Sequence, residues 1–220
     1  MNVLLLAKGR AATMCGLAIA LLSAPAFAAL YRGITGETHS NSQVLGRELG
    51  FGVIGCLLLW IIVRREALPL ASIGLHTDRL GRSLVRALGL TVITLVATVA
   101  MYFLLRRLGI QLGDAGSHNF QPAAWVVTLV CARAGIVEEI FYRGYAIERL
   151  QKLTTKRWLA TLVPLLLFAV SHYRQGPGGM LAVFVVGAVF TVFYLKFRDL
   201  VANISGHFLT DFVLNVILPL

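Results

Sequence analysis

Acidic residues are scarce: ten Asp and Glu stand against twenty Lys and Arg, and charged side chains make up only 14% of the 220 residues. A water-soluble domain of this length needs far more polar surface, so that class is set aside. Cysteine is scarce too. Cys15, Cys56 and Cys131 all sit in apolar stretches without a CxxC spacing. That pattern speaks against a disulfide framework or a structural zinc site and for small buried residues. An HExxH pair, a GxSxG elbow and a Walker loop are missing, which removes the signatures of zincins, serine hydrolases and nucleotide-driven pumps. The net charge of +10 invites a nucleic-acid reading. The basic residues, however, fall between apolar runs, with no basic stripe and no nucleic-acid motif, so no nucleic-acid partner is expected.

Apolar sequence is what the chain has in abundance: 58% of residues are hydrophobic and mean hydropathy is +0.80. Seven apolar runs can be counted, at roughly 11–30, 50–63, 84–105, 121–141, 158–176, 179–195 and 200–218. Most approach the roughly 20 residues that cross the hydrocarbon core as a helix, and 50–63 must extend into its flanks to do so. The expected fold is all-α, a polytopic membrane bundle of about seven transmembrane helices, multi-pass in the cell (inner) membrane. Residues 1–48 read as an N-terminal span with an external loop, and 49–220 as the bundle. Lys8, Arg10 and the segment Ala24–Ala28 also fit a signal peptide cleaved after Ala28, which would leave six spans. Retention is the simpler reading, because a multi-spanning protein needs no separate signal. With a cytoplasmic N-terminus, fourteen Lys and Arg lie inside, five outside, and Arg133 within the fourth span. That asymmetry obeys the positive-inside rule. The segment 66–83 then reads as a cytoplasmic connection with some interfacial character.

Against this background four ionisable groups lie within apolar runs. EEIFYRG (138–144) follows 121–137, His172 ends 158–171, and His207 with Asp211 lies within 200–220. A charge at bilayer depth costs about 2.5 kcal/mol or more, so such residues usually face a functional cavity. Glu138 and His172 are equally distant from residue 155, so an antiparallel helical pair turning there brings both to one height. His207 and Asp211 are four apart and share a helix face, as do Phe168 and His172. Glu139 and Arg143 are also four apart with the acid first, the favourable order for an ion pair. These two are assigned to holding the site, leaving Glu138 free to act on water.

Each piece has a plainer reading. The two glutamates could mark a helix end, His172 could be an interfacial histidine, and His207 with Asp211 could form an interhelix contact or an ion site. Convergence of three separate segments is harder to dismiss. Arg106 and Arg107 cap the third span, and Asp114 and His118 read as solvated loop residues. The GPGG sequence at 176–179 reads as a tight connection, and Gly187 with Ala188 as a close-packing device.

The three segments resemble the motifs of the CPBP family, the membrane proteins that include type II CAAX prenyl endopeptidases and the bacteriocin-immunity (ABI) group. EExxxR is matched by Glu138–Arg143, FxxxH by Phe168–His172, and HxxxN or HxxxD by His207–Asp211. The resemblance covers about residues 120–215. It implies an intramembrane endopeptidase with a cavity open toward the cytoplasm, acting on a membrane-associated protein or peptide. By the same resemblance Glu138 would be the general base, His172 would help hold the water, and His207 and Asp211 would stabilise the oxyanion. Asp211 stands where the prenyl endopeptidases tend to have Asn. An ionised Asp211 would repel an oxyanion, so it must be protonated, paired with His207 or bound to metal. Glu138, His172 and His207 would suit a catalytic zinc, and the same set would also work without metal. No organic cofactor is implied. Two other functions remain open: a non-catalytic scaffold or immunity protein of the same fold, and a transporter or channel. The latter gains nothing from broken helices, since the relevant spans carry no central Pro-Gly interruption.

Overall fold

Hydrocarbon offers no hydrogen-bond partners, so an apolar backbone must satisfy its own N–H and C=O groups, and a single chain does this by helix formation. The computed structural model describes residues 3–110 and 120–218, and among them every regular element is helical; Asp114 and His118 lie outside the described residues. The helices are α1 (Val3–Thr35), α2 (Asn41–Trp60), α3 (Leu80–Arg107), α4 (Ala124–Glu138), α5 (Glu148–Thr154), α6 (Arg157–Ser171), α7 (Gly176–Phe197) and α8 (Leu200–Phe212). Wider π-helical turns prolong α2 over Ile61–Arg65 and α8 over Val213–Ile217, and a third joins α4 to α5 over Glu139–Ile147. Residues 124–154 therefore form one continuous rod, widened where the paired glutamates begin.

Five helical stretches are long and apolar enough to cross a membrane: Gly9–Thr35, Asn41–Arg65, Leu80–Arg107, Tyr173–Phe197 and Leu200–Ile217. The other two expected spans are α6, apolar but only 15 residues long, and the 124–154 rod with its internal charges. The protein is a membrane helical bundle.

Three expected boundaries change. Ser40 caps α2, its Oγ accepting the Gln43 N–H at 3.2 Å, so the division at residue 48 falls inside a helix. Helix α1 is no appendage: Leu17 and Ala20 are buried in the core. The GPGG sequence starts α7 instead of forming the preceding turn, which runs through Tyr173–Gln175. Proline is well tolerated in a first helical turn, where its missing N–H would have been unpaired anyway. The turn between α5 and α6 lies where the symmetry about residue 155 predicts it, with Thr155 left-handed at φ 57°.

Polarity is distributed inside out. Val92, Val96 and Phe103 on α3 and Leu166 and Val170 on α6 are exposed, while Arg143, Arg149, Tyr142, Tyr145 and Tyr194 are among the largest fully buried side chains. Lipid tails are as apolar as leucine, so burying leucine gains little. Close packing and interhelical polar contacts hold the bundle instead. Helix α8 packs against α3, α4 and α7. Its backbone runs so near α4 that a Cβ on Gly135 would stand 2.9 Å from the Ile204 carbonyl oxygen. This close approach puts His207 beside the start of the π turn.

Candidate active site

The first turn of the π segment carries Glu139, which has no solvent exposure. Its Oε1 accepts from Arg143 Nη1 at 2.8 Å and lies 2.9 Å from His207 Nδ1; Oε2 accepts from Asn203 Nδ2 at 3.0 Å. Arg143 spends its other terminal nitrogen on the Gly187 carbonyl at 3.0 Å, and its guanidinium lies 4.3 Å from the centroid of the Phe168 ring. Glycine at 187 permits this close approach: a Cβ would stand 3.0 Å from Phe168 and 3.1 Å from Arg143. Asn203 also donates to the Phe190 carbonyl at 3.0 Å. The Glu139 carboxylate thus ties the rod to α8, Arg143 and Asn203 extend the network to α7, and a buried charge of each sign is matched and hydrogen-bonded.

Glu138, His172, His207 and Asp211 line a single cavity of about 450 Å³, walled by α3, α4, α6, α7 and α8. The sequence-predicted site residues are therefore brought together. His172 Nδ1 lies 2.8 Å from the Phe168 carbonyl oxygen. A carbonyl only accepts, so Nδ1 carries the hydrogen and Nε2 is left with its lone pair. The Phe168 ring sits edge-on to His172 at 4.9 Å and to Tyr142 at 5.2 Å, fixing the histidine from its side. His207 stands between two carboxylates, Glu139 at Nδ1 and Asp211 Oδ2 at 3.4 Å from Nε2. Of the three states open to Asp211 from sequence, this geometry is the pairing with His207.

Glu138 differs from expectation. Its Oε1 accepts from Arg133 Nη1 at 3.0 Å, so it is not free of partners. Arg133 Nε in turn donates to Glu48 on α2, which is 6% exposed and also pairs with Arg47 at 2.9 Å. An arginine at bilayer depth requires partners, and Arg133 takes two.

Metal binding was one option for these residues. Among the described residues no three His, Cys, Asp or Glu side chains gather at metal-holding distance. Both ring nitrogens of His207 face carboxylates and Glu138 is engaged by Arg133. In this arrangement the donors do not fit a zinc.

Two functional neighbours escaped the sequence reading. Asn203 precedes His207 by one turn, a spacing that could have flagged it. Glu48 gave no local signal; only the need of Arg133 for an anion pointed to it. A larger hollow of about 910 Å³ lies between α1 and α2, but among the described residues its lining holds one carboxylate, Glu66, already bound by Arg149 at 2.9 Å, and no histidine.

Residues 120–213 match the family described as type II CAAX prenyl endopeptidase Rce1-like. The motif-bearing part of this chain is similar to that family over a stretch that makes up less than half of the chain's length. The matched segment spans α4 to α8 and contains every residue of the cavity's ionisable set. No curated protein and no solved structure matches the chain. The protein is thus CAAX-protease-like and membrane-embedded.

Proposed function

We propose that this protein is an intramembrane endopeptidase that hydrolyses a peptide bond of a membrane-associated protein or peptide. The observation that carries the proposal is the convergence of Glu138, His172, His207 and Asp211 on one cavity inside the bundle. Glu138 is the general base. It takes a proton from water as the water oxygen bonds to the scissile carbonyl carbon, and the carbonyl π electrons move to oxygen. His172, with Nδ1–H committed to the Phe168 carbonyl, offers Nε2 to accept the second hydrogen of that water and aim its lone pair. Arg133 steers the Glu138 carboxylate from the side of α2.

The tetrahedral intermediate then needs donors for its oxyanion. His207 supplies one from Nε2, the nitrogen facing Asp211, while Glu139 fixes the ring through Nδ1. In the resting state the Nε2–H points to Asp211; when the oxyanion forms, that N–H turns its hydrogen bond to it, and no proton is transferred. Collapse re-forms the carbonyl and breaks the C–N bond. The proton held by Glu138 goes to the leaving nitrogen, giving a carboxyl and an amino terminus. These roles are assigned without metal because the donors do not converge on a common point.

The test compares protein termini in cells carrying the wild-type chain or Glu138→Gln at matched expression. Termini present only with the wild type are expected, and they name the substrate and its cleaved bond. Identical termini, with the cellular effect of the protein retained in Glu138→Gln, would point to a non-catalytic membrane scaffold.

A further inference from the structure

We infer that the candidate cavity opens to the non-cytoplasmic side of the membrane, and that its substrate is an apolar peptide segment presented from that side. The word substrate rests on the peptidase reading; the direction of opening does not.

The direction follows from which part of each helix lines the cavity. The α5–α6 turn and the α7–α8 turn lie at one end of the bundle, rich in Lys and Arg. Measured from that end, α7 contributes nothing below Phe190, seven residues short of its terminus at Phe197, or about 10 Å at 1.5 Å per residue. Helix α8 begins to contribute at His207, seven residues beyond Leu200, and continues through Asp211 to Asn215. On α6 the lining starts at Phe168, near the end remote from the α5–α6 turn, and on the rod it stops at Glu138. Every helix therefore lines the cavity only from mid-depth toward the far end.

What lies beneath is a closed floor. Glu139, Arg143 and Asn203 are at most 1% exposed and bound to one another, to His207 and to the Gly187 and Phe190 carbonyls. Exposure rises along α8 in the opposite direction: His207 is buried, Asp211 partly open and Asn215 exposed. Water and substrate reach the glutamate from above the floor, not through it.

The charge pattern says which end is which. Arg143 and Arg149 are buried and cannot act as topogenic loop charges, leaving twelve basic residues on the side of the α5–α6 turn against five on the other. Among those five, Arg47 pairs with Glu48 and Arg174 lies 3.7 Å from Glu37. The basic end is cytoplasmic by the positive-inside rule, so the mouth faces away from the cytoplasm. This is the reverse of the cytoplasm-facing cavity that the family resemblance implies. The walls above the glutamate include Val127, Val130, Val183 and Val186, which suit apolar side chains flanking the bond. The segment must be terminal or unwound there, because helical carbonyls are already hydrogen-bonded. A prenylated tail held on the cytoplasmic face does not meet these conditions.

The experiment uses full-length protein in sealed membranes, with Cys15, Cys56 and Cys131 replaced by Ala and one new cysteine at a time. Lys152→Cys marks the basic end and Ala182→Cys the cavity wall, with Val183→Cys as a second wall position should the first variant fail to fold. A membrane-impermeant maleimide is applied to right-side-out and to inverted vesicles. The expected result is Ala182→Cys labelled at least tenfold faster in right-side-out vesicles and Lys152→Cys at least tenfold faster in inverted ones. Labelling of both from the same side, or of Ala182→Cys only from the inverted side, would overturn the inference. Labelling needs no turnover, so a chain without peptidase activity would still give the expected pattern; the Glu138→Gln comparison tests that reading separately.

Discussion

Glu139 and Arg143 show what a fully enclosed ion pair does at the scale of single residues: with Asn203 and His207 they join the rod, α7 and α8 in one network. Removing one partner strands the other in an apolar interior, which costs about 3–5 kcal/mol. Glu139→Ala and Arg143→Ala are expected to lose most of the folded protein recovered from membranes, and normal amounts of both would contradict the structural role. The pair was legible in sequence because spacing and order suffice to predict it. The partners of Arg133 were not, since Glu48 is 85 positions away and only tertiary packing unites them. Glu48→Leu and Arg133→Leu are expected to be non-additive. Thermal unfolding of the single and double variants should give a coupling of about 0.5–3 kcal/mol, as contacting residues do, and simple additivity would remove the link from α2 through Arg133 to Glu138.

Among elements, α1 carries the clearest prediction. The sequence Ala24–Ala28 resembles a cleavage site, yet it lies inside an uninterrupted helix whose Phe27 packs edge-on against Phe51 at 5.0 Å. Thr13 on the same helix donates to Glu66 at 2.8 Å, and Glu66 also accepts from Tyr145 and Arg149. Cleavage after Ala28 would remove a wall of the core and leave that buried cluster open. The intact mass of the purified protein is expected to include residues 1–28; a new terminus at Ala29 would show that α1 is dispensable. Composition made the existence of the helices legible. It could not reveal the π turn over Glu139–Ile147, because that segment packs against α1, α6 and α8, and such tertiary contacts lie outside local propensity.

At the level of the whole molecule, the all-helical membrane class was readable from hydropathy alone, and the meeting of Glu138 with His172 from helix arithmetic about residue 155. The side on which the cavity opens was not, because it depends on which half of each helix faces inward. Metal dependence belongs to this scale as well. With His207 held between Glu139 and Asp211, treatment with a zinc chelator is expected to change cleavage by less than about twofold; a large loss restored by added zinc would require the cavity side chains to rearrange around a metal.

The central claim is that Glu138 activates water. The most direct measurement is the turnover of a peptide spanning the cleaved bond by proteoliposomes of wild type and Glu138→Gln, at equal amounts of folded protein. The account predicts unchanged thermal unfolding and a rate lower by about 10²–10⁴-fold, the usual contribution of a positioned general base. Equal rates would contradict it.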